Sequence, residues 1–402
     1  MMTFLHRPLL ILALVLPPLG AQPRRLELGK TVEAELGSGQ LHQYTITMSE
    51  GQFMRVVVSR PAFATVIRLS TASGTQKLLE LFWPGAAQRP ETLRWIAKST
   101  GEYRVELTTN TQGVTAGKYD IRLTEFRNQE PDDEKQMAIQ LSLEAAQALN
   151  NKYEYQPAID ALKRALTQAR ELTNPELAAA VLTNLGDAYE RAEQYSEAVD
   201  SYKQALQTRS DAKDRRGEGD ELRNIGRAYT RIPQYATAIG YLDRSLVIHR
   251  EIKDRWGEGS TLSSLGFVLE NSSQFVKAVS AFEQSLPILH EFNDNRGEGH
   301  ALTGLGITYW NMGRQADATR CLEQGLSLSR AAQEGPDEGL ALFGLGLVFR
   351  ILSQSEKAIG FFEQSLAVYR KVRSRGRESK VLSNLGSTYA SSSKLREGNR
   401  IF

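Results

Sequence analysis

A single cysteine, Cys321, stands among 402 residues, which excludes an internal disulfide and a thiolate metal cluster. It falls in a repeated helical segment and reads as a small packing residue. Charge of one sign is missing too. Against 49 Lys and Arg stand 47 Asp and Glu, and a net +2 exerts no broad pull on nucleic acid or anionic lipid. Histidine is scarce. His6, His42, His249, His290 and His300 show neither the i, i+4 spacing of a zinc helix nor a nucleophile arrangement with Cys321, and read as surface or capping groups. Carboxylates are spread over repeat surfaces, and no enzyme motif stands out. The expectation is a protein without catalytic residues, metal or cofactor. After the first residues no run is apolar enough to cross a bilayer, which takes roughly 20 residues.

Those first residues are distinctive. His6 and Arg7 precede an apolar run over 9–16, which Pro17, Pro18 and Gly20 break before a small residue, Ala21. This order predicts a secretory signal peptide over 1–21, hence an exported protein, periplasmic or extracellular. With no cysteine after the run, a bacterial lipid anchor is not expected; an uncleaved anchor is the competing reading.

From 26 to 126 the apolar period is two. Short β-prone runs occupy 31–36, 40–48, 52–59, 65–71, 77–83, 91–97, 102–109 and 118–126, separated by Gly-bearing turns. Tyr44, Ile46 and Met48 alternate with polar neighbours, as do Tyr103, Val105, Leu107 and Tyr119, Ile121, Leu123. Eight such strands predict an all-β sandwich or jelly roll. The motifs YTIT at Tyr44, STGEYRV at Ser99 and AGKYDI at Ala116 resemble the pre-peptidase C-terminal type of bacterial β-sandwich. Trp83 and Trp95 would serve core packing or, alternatively, stack on a glycan or cell-wall sugar.

Residues 127–134, acidic and proline-bearing, read as a linker. Beyond it, over 135–402, three combs run in register at a spacing of 40: Gly186, Gly226, Gly266, Gly306, Gly346 and Gly386; Ala158 to Ala358; and Leu166 to Leu366. This is a solenoid of helical hairpins, about six full repeats and a truncated seventh. Helix A carries Leu182, Leu185 and Tyr189 on one face, with Gly186 where helix B must approach closely. Helix B carries Ala198 and Tyr202 one turn apart.

The segments LGDAY (185–189), IGRAY (225–229) and LGITY (305–309), each followed by A-x-x-x-aromatic or leucine, resemble the tetratricopeptide signature. The fold expected is therefore multidomain: an all-β sandwich, then an all-α superhelix of antiparallel hairpins. The period is longer than the usual ~34, and resembles the long repeats of kinesin light chains; HEAT and armadillo repeats share the period without the LGxxY pattern. DRRGEG (214–219), DRWGEG (254–259) and DNRGEG (294–299) replace the family's closing proline, and the aspartate reads as a helix cap. A phosphate-binding reading of these glycines lacks the following Gly-Lys-Ser/Thr.

In such a superhelix the concave wall is lined by helix A residues that do not pack on helix B. That places a partner-binding groove at Asn184, Asp187, Arg191, Asn224, Arg227, Arg231, Phe267, Asn271, Ile307, Trp310, Leu347, Arg350 and Ile351. Early repeats offer amide, guanidinium and carboxylate groups; later ones form a shallow apolar trough suited to a protein partner's helix or extended peptide. The competing reading packs these residues on a terminal element or a second copy. Residues 394–402 begin a helix where the chain stops, so self-association through that end, or a following domain, stays open. An exported sandwich before such repeats resembles the front of bacterial CHAT-domain peptidases. That implies a recruiting or regulatory part without its catalyst.

Overall fold

The computed structural model describes residues 23–37, 39–59, 65–71, 76–83, 91–109, 117–332 and 335–391. The expected signal peptide at 1–21 and the final helix at 394–402 lie outside them, as does the Trp83 side chain.

Among the described residues nine strands form two sheets: β1 Arg24–Arg25, β2 Thr31–Leu36, β3 Leu41–Met48, β4 Gln52–Ser59, β5 Thr65–Thr71, β6 Lys77–Trp83, β7 Glu91–Ile96, β8 Gly101–Thr109 and β9 Gly117–Asn128. The sheet orders are β1-β3-β8-β5-β6 and β2-β9-β4-β7. All pairings are antiparallel except that of the short β1 with β3, which the sequence reading lacked. The alternating residues face inward as their period requires: Tyr44, Ile46, Tyr103, Val105, Tyr119 and Ile121 are each at most 3% exposed. Tyr44 and Ile46 sit opposite Val105 and Tyr103 across the β3–β8 ladder. Three polar tips are satisfied inside: the Tyr44 and Tyr119 hydroxyls lie 2.5 Å apart, and His42 Nδ1 is 2.8 Å from Tyr119. Trp95 is packed into this core.

The linker is shorter than the sequence predicts, because β9 runs to Asn128 and the first helix begins at Asp133. The Asp133 carboxylate is buried. It accepts from Arg127 at 2.6 and 2.9 Å and from the Glu130 amide at 2.6 Å. That forked pair staples strand to helix, and Gln140 Oε1 accepting from the Arg94 amide at 3.0 Å adds a second tie.

Thirteen helices follow among the described residues: α1 Asp133–Asn151, α2 Tyr155–Glu171, α3 Pro175–Arg191, α4 Tyr195–Asp211, α5 Arg215–Arg231, α6 Tyr235–Glu251, α7 Arg255–Asn271, α8 Phe275–Glu291, α9 Asn295–Asn311, α10 Gln315–Ala331, α11 Gly335–Ile351, α12 Ser355–Lys371 and α13 Arg375–Ser391. From α2 onward each has 17 residues. Two such helices and two three-residue turns make the 40-residue period. None of the helices is long and apolar enough to cross a membrane.

The combs are the places where helix meets helix. The comb alanines are wholly buried, and a Cβ on Gly226, Gly266, Gly306 or Gly346 would come within 2.5–2.7 Å of Leu242, Phe282, Leu322 or Phe362 one turn beyond them. Gly186 meets Tyr202 in the same way. A third tie is invisible in the motif: Ser245, Ser285 and Ser365 donate from helix B to the carbonyls of Gly219, Gly259 and Gly339 at 2.7–2.8 Å.

The capping reading of D-x-x-G-E-G holds in atomic detail. Asp214, Asp254 and Asp294 accept from the amides of Gly217, Gly257 and Gly297 at 2.9, 3.1 and 2.9 Å. Glu218, Glu258 and Glu298 occupy the electropositive first turn. His249 is no surface residue. It is fully buried beneath Gly219 and Gly257, with Nδ1 3.1 Å from Asp254 Oδ2, so it braces the cap from below. Burial works against the Asp254 carboxylate, but His249, the Gly257 amide and Arg216 outweigh it and hold Asp254 below the usual range.

Gly266→Ala is expected to destabilise the chain by about 1–3 kcal/mol through overpacking on Phe282. Gly240→Ala, in an exposed helical position with open space around it, should stabilise by about 0.5–1 kcal/mol. Urea unfolding of both variants checks the pair. Asp254→Ala should cost about 2–3 kcal/mol, for the lost cap and the unpartnered His249. Because the folded carboxyl is held below its unfolded value, that contribution is complete above about pH 4 and lost as pH falls through the folded value. The gap between wild type and Asp254→Ala should therefore close in acid.

Candidate binding channel

The odd-numbered helices α3 to α11 line the inner wall and touch in sequence. Arg227 on α5 donates to Glu190 on α3 at 2.6 Å, and Asn311 on α9 to Glu270 on α7 at 2.9 Å. The His300 ring on α9 stands edge-on to Phe267 on α7 at 4.2 Å, and its Nδ1 lies 3.3 Å from Asp337 on α11.

The concave side is not the open trough that helical spacing alone predicts. The array winds far enough to touch itself. The Tyr155 hydroxyl at the start of α2 donates to the Val372 carbonyl at 3.1 Å. Glu193, between α3 and α4, accepts from the Ser374 hydroxyl at 2.6 Å and the Gly376 amide at 3.3 Å. Tyr153 packs against the apolar cluster of the last hairpin, which includes Phe343 and Tyr369. This seam joins the first two hairpins to the α12–α13 turn and closes the groove into a channel.

Within it the polar half is a bonded network. The Glu190 carboxylate, half-buried, also receives the Tyr202 hydroxyl at 3.3 Å, and Asp187 accepts from Tyr202 at 2.7 Å. Burial works against Glu190, but the Arg227 charge outweighs it and keeps the carboxyl low; Glu190 in turn raises Arg227. Asn184 is turned back on its own helix, donating to Ala180 O at 2.9 Å, and Asn271 donates to Phe267 O at 2.8 Å. Arg191 is half-buried near Tyr155. Arg231, at the end of α5, keeps an exposed edge amid crowded surroundings; that crowding and the charge of Arg377 push its guanidinium down, against the pull of Glu190.

In the later repeats Phe267, Ile307 and Trp310 are half-buried, each packed on one side and open on the other. Ile351 is 52% exposed and Arg350 half-buried. Two expected wall residues do not reach the free surface. Asn224 is buried and donates to Glu221 at 3.2 Å, and Leu347 is buried in the last hairpin's core, because neighbouring hairpins cover both. The sequence reading missed Glu193, Tyr195, His300, Asp337 and Arg377. The seam couples residues 181–217 positions apart, a separation at which no periodic pattern carries a signal.

Glu193→Ala removes both seam bonds of its carboxylate. A charged hydrogen bond contributes about 1.5 kcal/mol or more, so amide exchange in residues 375–379 should quicken about tenfold. Exchange in α7 and α8 should stay unchanged. Equal exchange at 375–379 in both proteins would show that the seam does not hold.

Residues 137–211, 257–331 and 301–371 match the tetratricopeptide repeat family. No curated protein matches the chain. Among solved structures, aspartyl phosphate phosphatase F from Bacillus subtilis shares 15% identity and a TM-score of 0.53, over 67% of this chain and 70% of that one. A Rap protein complexed with Competence and Sporulation Factor gives 14% and 0.48, over 65% and 76%. NprR in complex with its peptide NprX gives 16% and 0.48, over 66% and 84%. At 15% identity the first of these shows a shared fold and nothing more. Residues 137–211 and 257–371 carry tetratricopeptide repeats, and the described helices form one tetratricopeptide-like array.

Proposed function

We propose that this chain is an exported, non-catalytic scaffold that binds an extended peptide of a protein partner inside the channel. Solenoids of this kind work through their concave surfaces. The observation that carries the reading is the two-sided wall. Phe267, Ile307 and Trp310 keep open apolar edges on α7 and α9, while Arg227, Asp187 and Arg231 stand on α3 and α5. Apolar side chains of a ligand would take the first set and its backbone or charged groups the second. Export rests on the signal-peptide pattern of residues 1–21. The glycan reading loses Trp95, which is only 8% exposed in the sandwich core. No observation on the described residues favours the peptidase-front reading.

The test is capture of binders from a random peptide library on the immobilised full chain, followed by affinity measurements on variants. Phe267→Asp and Trp310→Ala should each weaken the selected peptides at least tenfold while circular dichroism stays unchanged. Peptides that bind both variants as tightly as wild type would place recognition elsewhere.

A further inference from the structure

The outer joints of the array repeat one ion pair, and one joint carries only half of it. Where helix B ends and the next helix A begins, Arg250, Arg330 and Arg370 donate from Nε to Oε1 of Glu258, Glu338 and Glu378. The distance is 2.9 Å each time. His290 stands in the same place, its Nδ1 3.2 Å from Glu298. In all four joints the basic residue precedes its glutamate by eight positions. At the α4–α5 joint the glutamate is present as Glu218, but eight positions before it stands Ser210.

The short serine leaves room. Ser210 and Glu218 line a hollow of about 580 Å³ on the outer face, bounded by α4, α5 and α6. Much of its lining is apolar: Leu222 and Ile248 are buried there, and Val247 is 54% exposed. Glu218 is half-buried and accepts from Arg215 on Oε2 at 2.6 Å. Among the described residues no second cation reaches it. The homologous Glu258 shows a filled arrangement, with Arg255 on Oε2 at 2.6 Å and Arg250 on Oε1 at 2.9 Å. One carboxylate of this array therefore accommodates two guanidinium groups, and Arg215 is no bar to a second. Arg215 is also occupied by Glu251, at 2.8 Å. Two further charges line the hollow: Asp243, and Arg244, which lies over the Tyr241 ring at 5.7 Å.

We propose that this hollow is a docking pocket for an arginine side chain of a partner protein. Its guanidinium takes the place at Glu218 that Arg250 takes at Glu258. Three of the four equivalent places hold an arginine borne on a helix, which is why the source is a protein chain rather than a free cation. The forked guanidinium suits a carboxylate better than a point-charge ammonium does. Its aliphatic stem would cover Leu206, Leu222 and Val247 while the head stays polar. The pocket lies on outer helices and does not depend on the channel-peptide reading.

The experiment titrates the full chain with N-acetyl-arginine amide, with its neutral analogue N-acetyl-citrulline amide and with free arginine, at low salt. Binding is followed by chemical-shift changes. The blocked arginine should bind saturably in the millimolar range, at least tenfold tighter than the citrulline analogue. Glu218→Gln should weaken it at least tenfold. Ser210→Arg, at an exposed helical position, completes the repeated ion pair from within; it should abolish binding and raise the melting temperature. Blocked arginine that binds Ser210→Arg or Glu218→Gln as tightly as wild type, or no better than citrulline, overturns the proposal. Free arginine binding tenfold tighter than the blocked form overturns the protein source, because the pocket would then read the amino-acid backbone. Channel peptides that still bind Ser210→Arg, after the blocked arginine is excluded, separate this pocket from the channel.

Discussion

The close approach of helix A to helix B at the comb glycines is the contact on which the rest of the array depends. Tyr202, Leu242, Phe282, Leu322 and Phe362 each rest on the bare backbone of a facing helix. A methyl group there would push the pair apart. Because five successive hairpins repeat the same contact, the small rotation from one hairpin to the next repeats as well, and similar rotations add up to a superhelix of definite curvature. The serine bonds from helix B to the carbonyls of Gly219, Gly259 and Gly339 hold the same pairs from the other side.

Curvature then decides the electrostatics. An array that opened more widely would leave the α3–α4 turn in water. This one presses it against the α12–α13 turn, where the Glu193 carboxylate meets Ser374 and Gly376. The seam is of a different kind from the joints along the array. It rests on a few polar bonds and one packed tyrosine, where the joints bury continuous apolar faces. Local opening free energies follow the apolar surface and the bonds that must be broken, so the seam is the weakest closure in the ring.

The channel wall is correspondingly divided. On α3 and α5 the side chains are charged and mostly bonded to one another, which fixes their positions before any ligand arrives. On α7 and α9 they are aromatic and aliphatic, with one edge unpacked. The sandwich stands at the entrance of the array, tied by Arg127 to the buried Asp133, so the two parts are joined through a rigid corner.

The local elements were legible in the sequence because their causes are local. Alternation at Tyr44, Ile46 and Met48 is a period-two signal, and a buried sheet face needs it. Combs of glycine and alanine mark nearest-neighbour packing, and Asp254 three residues before Gly257 is a cap whose partner lies within one turn. The wall positions followed from helical geometry, but their availability did not: Asn224 and Leu347 point to the predicted side and are nevertheless buried by neighbouring hairpins. By itself, then, the sequence determined the strands, the 17-residue helices, their caps and their pairing. Only the tertiary structure decided that the array closes on itself and which side chains remain free in the channel. Closure is a sum over six hairpins of rotations each too small to leave a mark on any one motif.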